Sequence, residues 1–314
     1  MKGAFLFSPV GCTRFDCVLK IGYAVSAIQS RRDVDRGGER PMAAQSFPFK
    51  IGEFECLVVS DGVITVPDMV TPKPFNPNDA HSGMPMDVNC LLIRAGKRTI
   101  LVDTGSGHWM GPASGRLVQN LGAAGIKPSD IDTVIITHAH GDHIGANVDD
   151  QGKPVFPRAR YVMHRKEWEH WTAIMDAEPE NPRSMLLITR KNLPPIRDRL
   201  DLVEDKAQIV PGLECVLTPG HTPGGLMLML SSGKDKLCCI GDLIHHELEL
   251  KRPDLFAIFD VDKDEAVAAR KRILPELADC GMLIFSCHFG FPGLGRIVRD
   301  GKRLSWKPIS MPAA

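Results

Sequence analysis

No apolar run in the 314-residue chain approaches the roughly 20 residues that a membrane-spanning helix needs. Its longer apolar runs, such as Leu226 to Leu230, have the length of buried strands. A membrane is therefore not an expected partner. Charge of either sign is not in excess: 38 Lys and Arg balance 38 Asp and Glu, which leaves no field to attract nucleic acid. Cys-x-x-Cys pairs are missing, and nine cysteines is an odd count, so a disulfide framework is not expected. Reduced thiols fit a cytoplasmic setting. The opening Met1 to Phe7 breaks at Pro9 without a small-residue cleavage site, which argues against a secretory signal. There is no P-loop and no close internal repeat. Tyrosine is scarce, at two residues, Tyr23 and Tyr161.

What is present is an ordinary globular composition with mixed strand and helix periods. Residues 1–47 carry no sustained period and read as a flexible tail, and residues 48–314 read as one domain. Alternation from Phe54 predicts a strand, and Asp61-Gly62 predicts a hairpin turn into Val63 to Val66. A Pro-rich stretch, Pro67 to Pro85, is too long for a simple connector and reads as a lid. Strands are expected at 89–94, 99–103, 133–137, 161–164, 213–218, 226–230, 236–240 and 282–287, with an edge at 303–307. Helices are expected near 116–124, from Lys166, at 183–193 and over Asp264 to Leu277, where Ala266, Ala269, Ile273 and Leu277 form one stripe. This mixture predicts a layered α/β fold.

The chemistry concentrates in Thr137-His138-Ala139-His140-Gly141-Asp142-His143. Three imidazoles and a carboxylate within six residues are a divalent-metal donor set. Residues two apart diverge on a helix but project together from extended backbone, so the motif belongs in a loop after the strand at 133–137. Further donors recur where predicted strands open into loops: Asp103, His221 in Pro219-Gly220-His221-Thr222-Pro223-Gly224, Asp242 after Gly241, and His288. Side chains at such strand ends can meet along one edge of a sheet. Cys287, beside His288, is expected to turn to the opposite face as a buried thiol.

This ordered set resembles the five motifs of the metallo-β-lactamase superfamily over about residues 50–308. The resemblance implies a four-layer αβ/βα sandwich with two divalent ions at one edge of the packed sheets, zinc being the expected metal. It implies His138, His140 and His221 as ligands of one ion, and Asp142, His143 and His288 of the other. Asp242 would bridge the two, and Asp103 would orient a ligand histidine from behind. The segment from Gly241 to Ile244 and the run His288 to Gly295 are similar to methyl parathion hydrolase and its lactonase relatives. Gly225 stands where relatives often carry a second histidine. His245, followed by His246, stands where many lactonases carry a tyrosine.

The implied reaction is hydrolysis of a small molecule by a water acidified between two cations. Asp142 or a metal-bound water would pass a proton to the leaving group; a metal would hold the developing oxyanion, with His245 as a further hydrogen-bond donor to it, the alternative being that His245 and His246 are surface histidines near the cleft. A lactone or ester, including a quorum-quenching-type lactone, is the leading substrate class, and a phosphotriester is the rival. A non-catalytic scaffold stabilised by its metals is the alternative of another kind. An acidic residue in place of His140, as in flavodiiron oxidases, is absent, as is a basic glutathione site of glyoxalase type. A homodimer is left open by the sequence. His81, His108, Trp109, His164 and His170 are candidates for the walls of the cleft.

Overall fold

The computed structural model describes residues 45–66, 84–178 and 184–310. The tail up to residue 44, most of the Pro-rich stretch and His81 lie outside the described residues.

Seven strands form the first sheet in chain order: β1 (Ser46–Ile51), β2 (Phe54–Val66), β3 (Met84–Ala95), β4 (Arg98–Val102), β5 (Thr133–Ile135), β6 (Arg160–His164) and β7 (Leu200–Val203). The second sheet runs in reverse, from β14 (Arg303–Pro308) through β13 (Leu294–Asp300), β12 (Leu283–Phe285), β11 (Asp235–Cys239), β10 (Leu226–Ser232) and β9 (Leu213–Leu217) to β8 (Gln208–Val210). Hairpin-connected strands pair antiparallel. Strands β4 to β7 pair parallel, as do β11 and β12, because helices intervene between them.

Period-2 patterning decides the layers. One set of side chains from each sheet, including Phe49, Phe54, Val58, Leu91, Ile93, Leu213, Leu228 and Phe285, packs between the sheets. The opposite face of the first sheet is covered by α1 (Leu117–Ala123), α3 (Arg165–Ala177) and α4 (Ser184–Asn192) through Leu117, Leu121, Trp171 and Leu186. The opposite face of the second sheet is covered by α6 (Lys263–Cys280) through Ala269, Ile273, Leu274 and Leu277. Helix, sheet, sheet, helix is the four-layer order that the family resemblance implies. Adjacent Cys238 and Cys239 divide between the outer and inner layers, as successive residues of a strand must. Strands such as Leu226 to Leu230 read as continuous apolar runs because both faces are covered.

The ends of α6 follow local rules. Asp262 accepts the backbone N–H of Glu265 at 2.9 Å, and Gly281 closes the helix in the left-handed conformation. Two short helices complete the set: α2 (Gly141–Ile144), inside the His-rich motif, and α5 (Leu248–Lys251).

The expected hairpin at Asp61-Gly62 does not form. Strand β2 runs through it to Val66, with a register shift between Ser60 and Gly62. Asp61 is buried and its carboxylate accepts the backbone N–H groups of Ser106, Gly115 and Leu117. Gly62 has φ of 117°, and a Cβ there would lie 2.2 Å from the carbonyl oxygen of Ala113. The Asp-Gly pair therefore serves a bulge and a loop anchor rather than a turn. The strand expected at 133–137 leaves its ladder after Ile135, which frees Thr137 to enter the site.

Candidate metal centre

The His-rich motif leaves β5 as a loop and turns at once into α2. Its position is held from behind by Glu167, which is fully buried at the start of α3. One carboxylate oxygen of Glu167 accepts from Ala139 N at 2.9 Å and Trp171 Nε1 at 2.8 Å. The other accepts from Gly224 N at 3.0 Å, so the loop of His138 and His140 is pinned to the loop of His221. The His221 loop presses on the start of α6. Gly220 sits at φ of 132°, and a Cβ there would lie 2.4 Å from Ala266 N. Only glycine permits that approach.

Asp103, at the end of β4, has φ of 60°, a left-handed conformation uncommon outside glycine. The strain is held in place by three bonds. Its carboxylate accepts from Thr137 N, Thr137 Oγ1 and His143 Nδ1, each at 2.8 Å. Strain over-determined in this way is characteristic of functional sites.

The donors predicted from sequence come together. Ring nitrogens of His138, His140 and His221 and a carboxylate oxygen of Asp242 lie within 4.8 Å of one another, and so do donors of His143, Asp242, Cys287 and His288. All are buried, and Asp242 belongs to both groups. His221 Nε2 and His288 Nε2 are 3.3 and 3.2 Å from Asp242 Oδ2, and His143 Nε2 is 3.4 Å from Oδ1. Asp142 borders the second group, 3.5 Å from His288 Nε2 and 3.6 Å from His143 Nε2.

Hydrogen bonds behind the rings decide which nitrogens face inward. His221 Nδ1 lies 2.8 Å from Asp260 Oδ1, His143 Nδ1 2.8 Å from Asp103 Oδ2, and His288 Nδ1 2.9 Å from the Asp87 carbonyl. These acceptors require N–H at each Nδ1. In the neutral ring a bare lone pair remains on Nε2, which is the arrangement that prepares imidazole for a metal. His143 Nε2 makes no hydrogen bond among the described residues despite its burial. His140 Nδ1 is 3.1 Å from His138 Nε2 and 2.9 Å from His221 Nε2. Three ring nitrogens so close share too few protons to satisfy one another, whereas one cation would accept all three lone pairs.

Burial, reinforced by the neighbouring imidazoles, holds His138 and His140 well below the usual histidine range and therefore neutral. At His143 burial also opposes protonation, but Asp242, Asp142 and Asp103 outweigh it and raise the pKa well above normal. Burial likewise opposes ionisation of Asp242, and His288, His143 and His138 reverse this, so its pKa falls well below normal. Three buried carboxylates around one space call for positive charge, which divalent ions would supply. The donor set thus fits the metal pair.

Cys287 does not turn away: its Sγ lies 3.2 Å from Asp242 Oδ1, because the chain has left β12 after Phe285 and strand alternation no longer applies. His245 is buried in the site, with Nε2 3.3 Å from Asp242 Oδ2, yet neither ring nitrogen has an aligned hydrogen bond among the described residues. Burial lowers its pKa, but Asp242 and Glu249 overcome this and hold it up at about 10. His246 instead accepts the backbone N–H of Leu248 at the start of α5. His164 caps α3, accepting from Lys166 N. His108 pairs with Asp150 in an exposed loop, and Trp109 donates to the Gly145 carbonyl. Glu167, Glu249, Asp260 and Arg270 were not singled out from sequence. Their one signal is charge at positions that helix and loop packing buries, visible in retrospect at Glu167 and Trp171, one turn apart on α3.

The sequence profile described as "Metallo-beta-lactamase superfamily" matches residues 83–280. The chain belongs to the metallo-beta-lactamase superfamily. Within it, an N-acyl homoserine lactonase of Bacillus sp is 27% identical over 168 residues, covering 48% of this chain and 60% of the relative. An N-acyl homoserine lactonase of Bacillus cereus is 29% identical over 122 residues, covering 39% of this chain and 42% of the relative. The chain thus spans roughly two to three fifths of the length of these curated relatives. Among solved structures, the dizinc quorum-quenching lactonase AidC in complex with a product superposes with a TM-score of 0.77 at 30% identity, covering 86% of this chain and 99% of that one. The hydrolase AbOPH superposes at 0.76 with 23% identity, covering 87% and 100%, and shares the fold. No helix among the described residues is long and apolar enough to cross a membrane.

Proposed function

We propose that this chain is a dinuclear metal-dependent hydrolase, with zinc as its metal, that opens a lactone or cleaves an ester of a small molecule. The observation that carries the reading is the pair of buried donor groups sharing Asp242. A structural zinc site is closed and mononuclear, whereas a carboxylate shared by two donor groups would be able to serve two ions. His138, His140 and His221 would hold one ion, and His143 and His288, with Asp142, the other. When bound, such ions supply a nucleophile at neutral pH and polarise the oxygen of the reacting centre.

The protein's own groups then have distinct tasks. Asp103, Asp260 and the Asp87 carbonyl keep the ligand rings turned inward. His245 brings a buried ring without an aligned partner to the rim of Asp242, where it can donate to negative charge developing on the substrate. Asp142 would carry a proton to the leaving group. Lactone, ester and phosphotriester all present an electrophilic centre with a polarisable oxygen. The lactonase relatives favour the first.

Metal content per chain, measured together with turnover of a panel of lactones, aryl esters and phosphotriesters, tests the reading. Two equivalents of zinc with lactone or ester hydrolysis is the expected result. Two equivalents without turnover of any substrate would indicate a metal-stabilised scaffold, and preferential turnover of phosphotriesters would move the assignment to that class.

A further inference from the structure

Arg270, on the buried side of α6, is the largest fully buried side chain among the described residues. Its Nη1 donates to Glu249 Oε1 at 2.7 Å, and its Nη2 donates to Asp260 Oδ2 at 3.1 Å and to the Leu255 carbonyl at 2.7 Å. Each carboxylate turns its other oxygen toward the site. Asp260 Oδ1 meets His221 Nδ1 at 2.8 Å. Glu249 Oε2 accepts the backbone N–H of His245 at 2.6 Å and of His246 at 3.0 Å, and lies 3.6 Å from His245 Nδ1. The rings of His221 and His245 are neighbours, with centroids 4.8 Å apart.

These contacts form one chain of charge-assisted bonds. Two buried carboxylates facing the same ring pair would repel each other without a cation between them, although backbone N–H groups of Ala257, His245 and His246 also bond to them. A guanidinium offers a planar fork of donors that can hold both at set angles, which a lysine ammonium, a point charge, cannot do. We propose that Arg270 is a positioning residue: through Asp260 it fixes the metal-facing ring of His221, and through Glu249 it fixes the loop that presents His245. The proposal rests on the dinuclear reading above. It adds that one residue outside the donor set aligns a metal ligand and the oxyanion donor together. A buried ion pair kept only for folding would make no such link.

The test compares R270K, D260N and E249Q with the parent protein. Thermal melting establishes folding. Zinc release against a graded chelator, the visible spectrum of the cobalt-substituted protein, and kcat and KM on an aryl ester follow. Folded R270K should release one of two zinc equivalents at roughly 10- to 100-fold lower chelator strength, with a changed cobalt spectrum and the second equivalent retained. D260N should reproduce that loss. E249Q should keep both equivalents and lower kcat with little change in KM. Folded R270K with parental zinc retention, cobalt spectrum and kcat would overturn the proposal. Should R270K not fold, D260N and E249Q both behaving as the parent would overturn it instead. A parent protein that takes up no zinc removes the dinuclear reading itself, an outcome distinct from parent and variant loading zinc alike.

Discussion

Replacing Asp103 by Asn keeps the size of a side chain that accepts three 2.8 Å hydrogen bonds in the interior. All three partners present donors to it: Thr137 N–H, Thr137 O–H and His143 Nδ1–H. The Asn carbonyl oxygen can serve one or two of them, and its amide nitrogen must then face a remaining donor. A hydrogen bond to a charged group contributes roughly 1.5–3 kcal/mol. Loss of one such bond, with two donors set against each other, gives a total of about 3–5 kcal/mol, comparable to breaking a buried ion pair. The cost should extend to the metal site, because His143 loses the acceptor that keeps its Nε2 lone pair facing Asp242. Zinc affinity should fall roughly 10- to 100-fold. Urea denaturation of the metal-free protein measures the first effect, and chelator competition on the folded protein measures the second. If D103N matches the parent in both urea midpoint and zinc retention, Asp103 does not orient His143 and its role behind the metal ligands is refuted.

Removing metal with a chelator should abolish hydrolysis and lower the melting temperature, with both restored by zinc, because binding to the native state alone adds stability by mass action; an unchanged melting curve would count against the centre. E167Q should cost at least about 2 kcal/mol and weaken zinc retention, since Glu167 holds both histidine loops, which thermal melting and chelator titration would measure. H245A should lower kcat by roughly 10²–10³-fold with zinc content unchanged, checked by steady-state kinetics beside metal analysis. Burial opposes ionisation of Asp132, but bonds from Thr99 N, Thr133 Oγ1 and Arg98 more than offset it and hold the pKa below normal. Its stabilising contribution is therefore present above the unfolded value near 4 and is lost as pH falls through the lower folded value. The parent's advantage over D132N in urea midpoint should shrink on going from pH 6 to pH 3.

The layered α/β architecture was legible because strand and helix periods report which faces are covered. Leu226 to Leu230 reads as a strand buried on both sides, and Ala269, Ile273 and Leu277 of the expected helical stripe pack on the second sheet. Strands β1, β7, β8 and β13 were not legible. β7 and β8 are short and half-exposed, and their pairing with a neighbour supplies the order that their own residues do not. The Asp61-Gly62 signal misled because a dipeptide that suits a turn also suits a bulge, and loops 45 to 56 residues away decide between them.

By itself, the sequence determined the donor set: the concentration of His138, His140, Asp142 and His143, and the placing of Asp103, His221, Asp242 and His288 at strand ends, follow from residue type and local period alone. What the tertiary structure decided is which atoms of those residues face one another. Glu167, Asp260, Glu249 and Arg270 carry no local signature, because a buried charge is recognisable only by the partner that compensates it, and each partner lies on another segment. Cys287 entered the site the same way, through backbone that had already left the regular ladder, where sequence period no longer predicts direction.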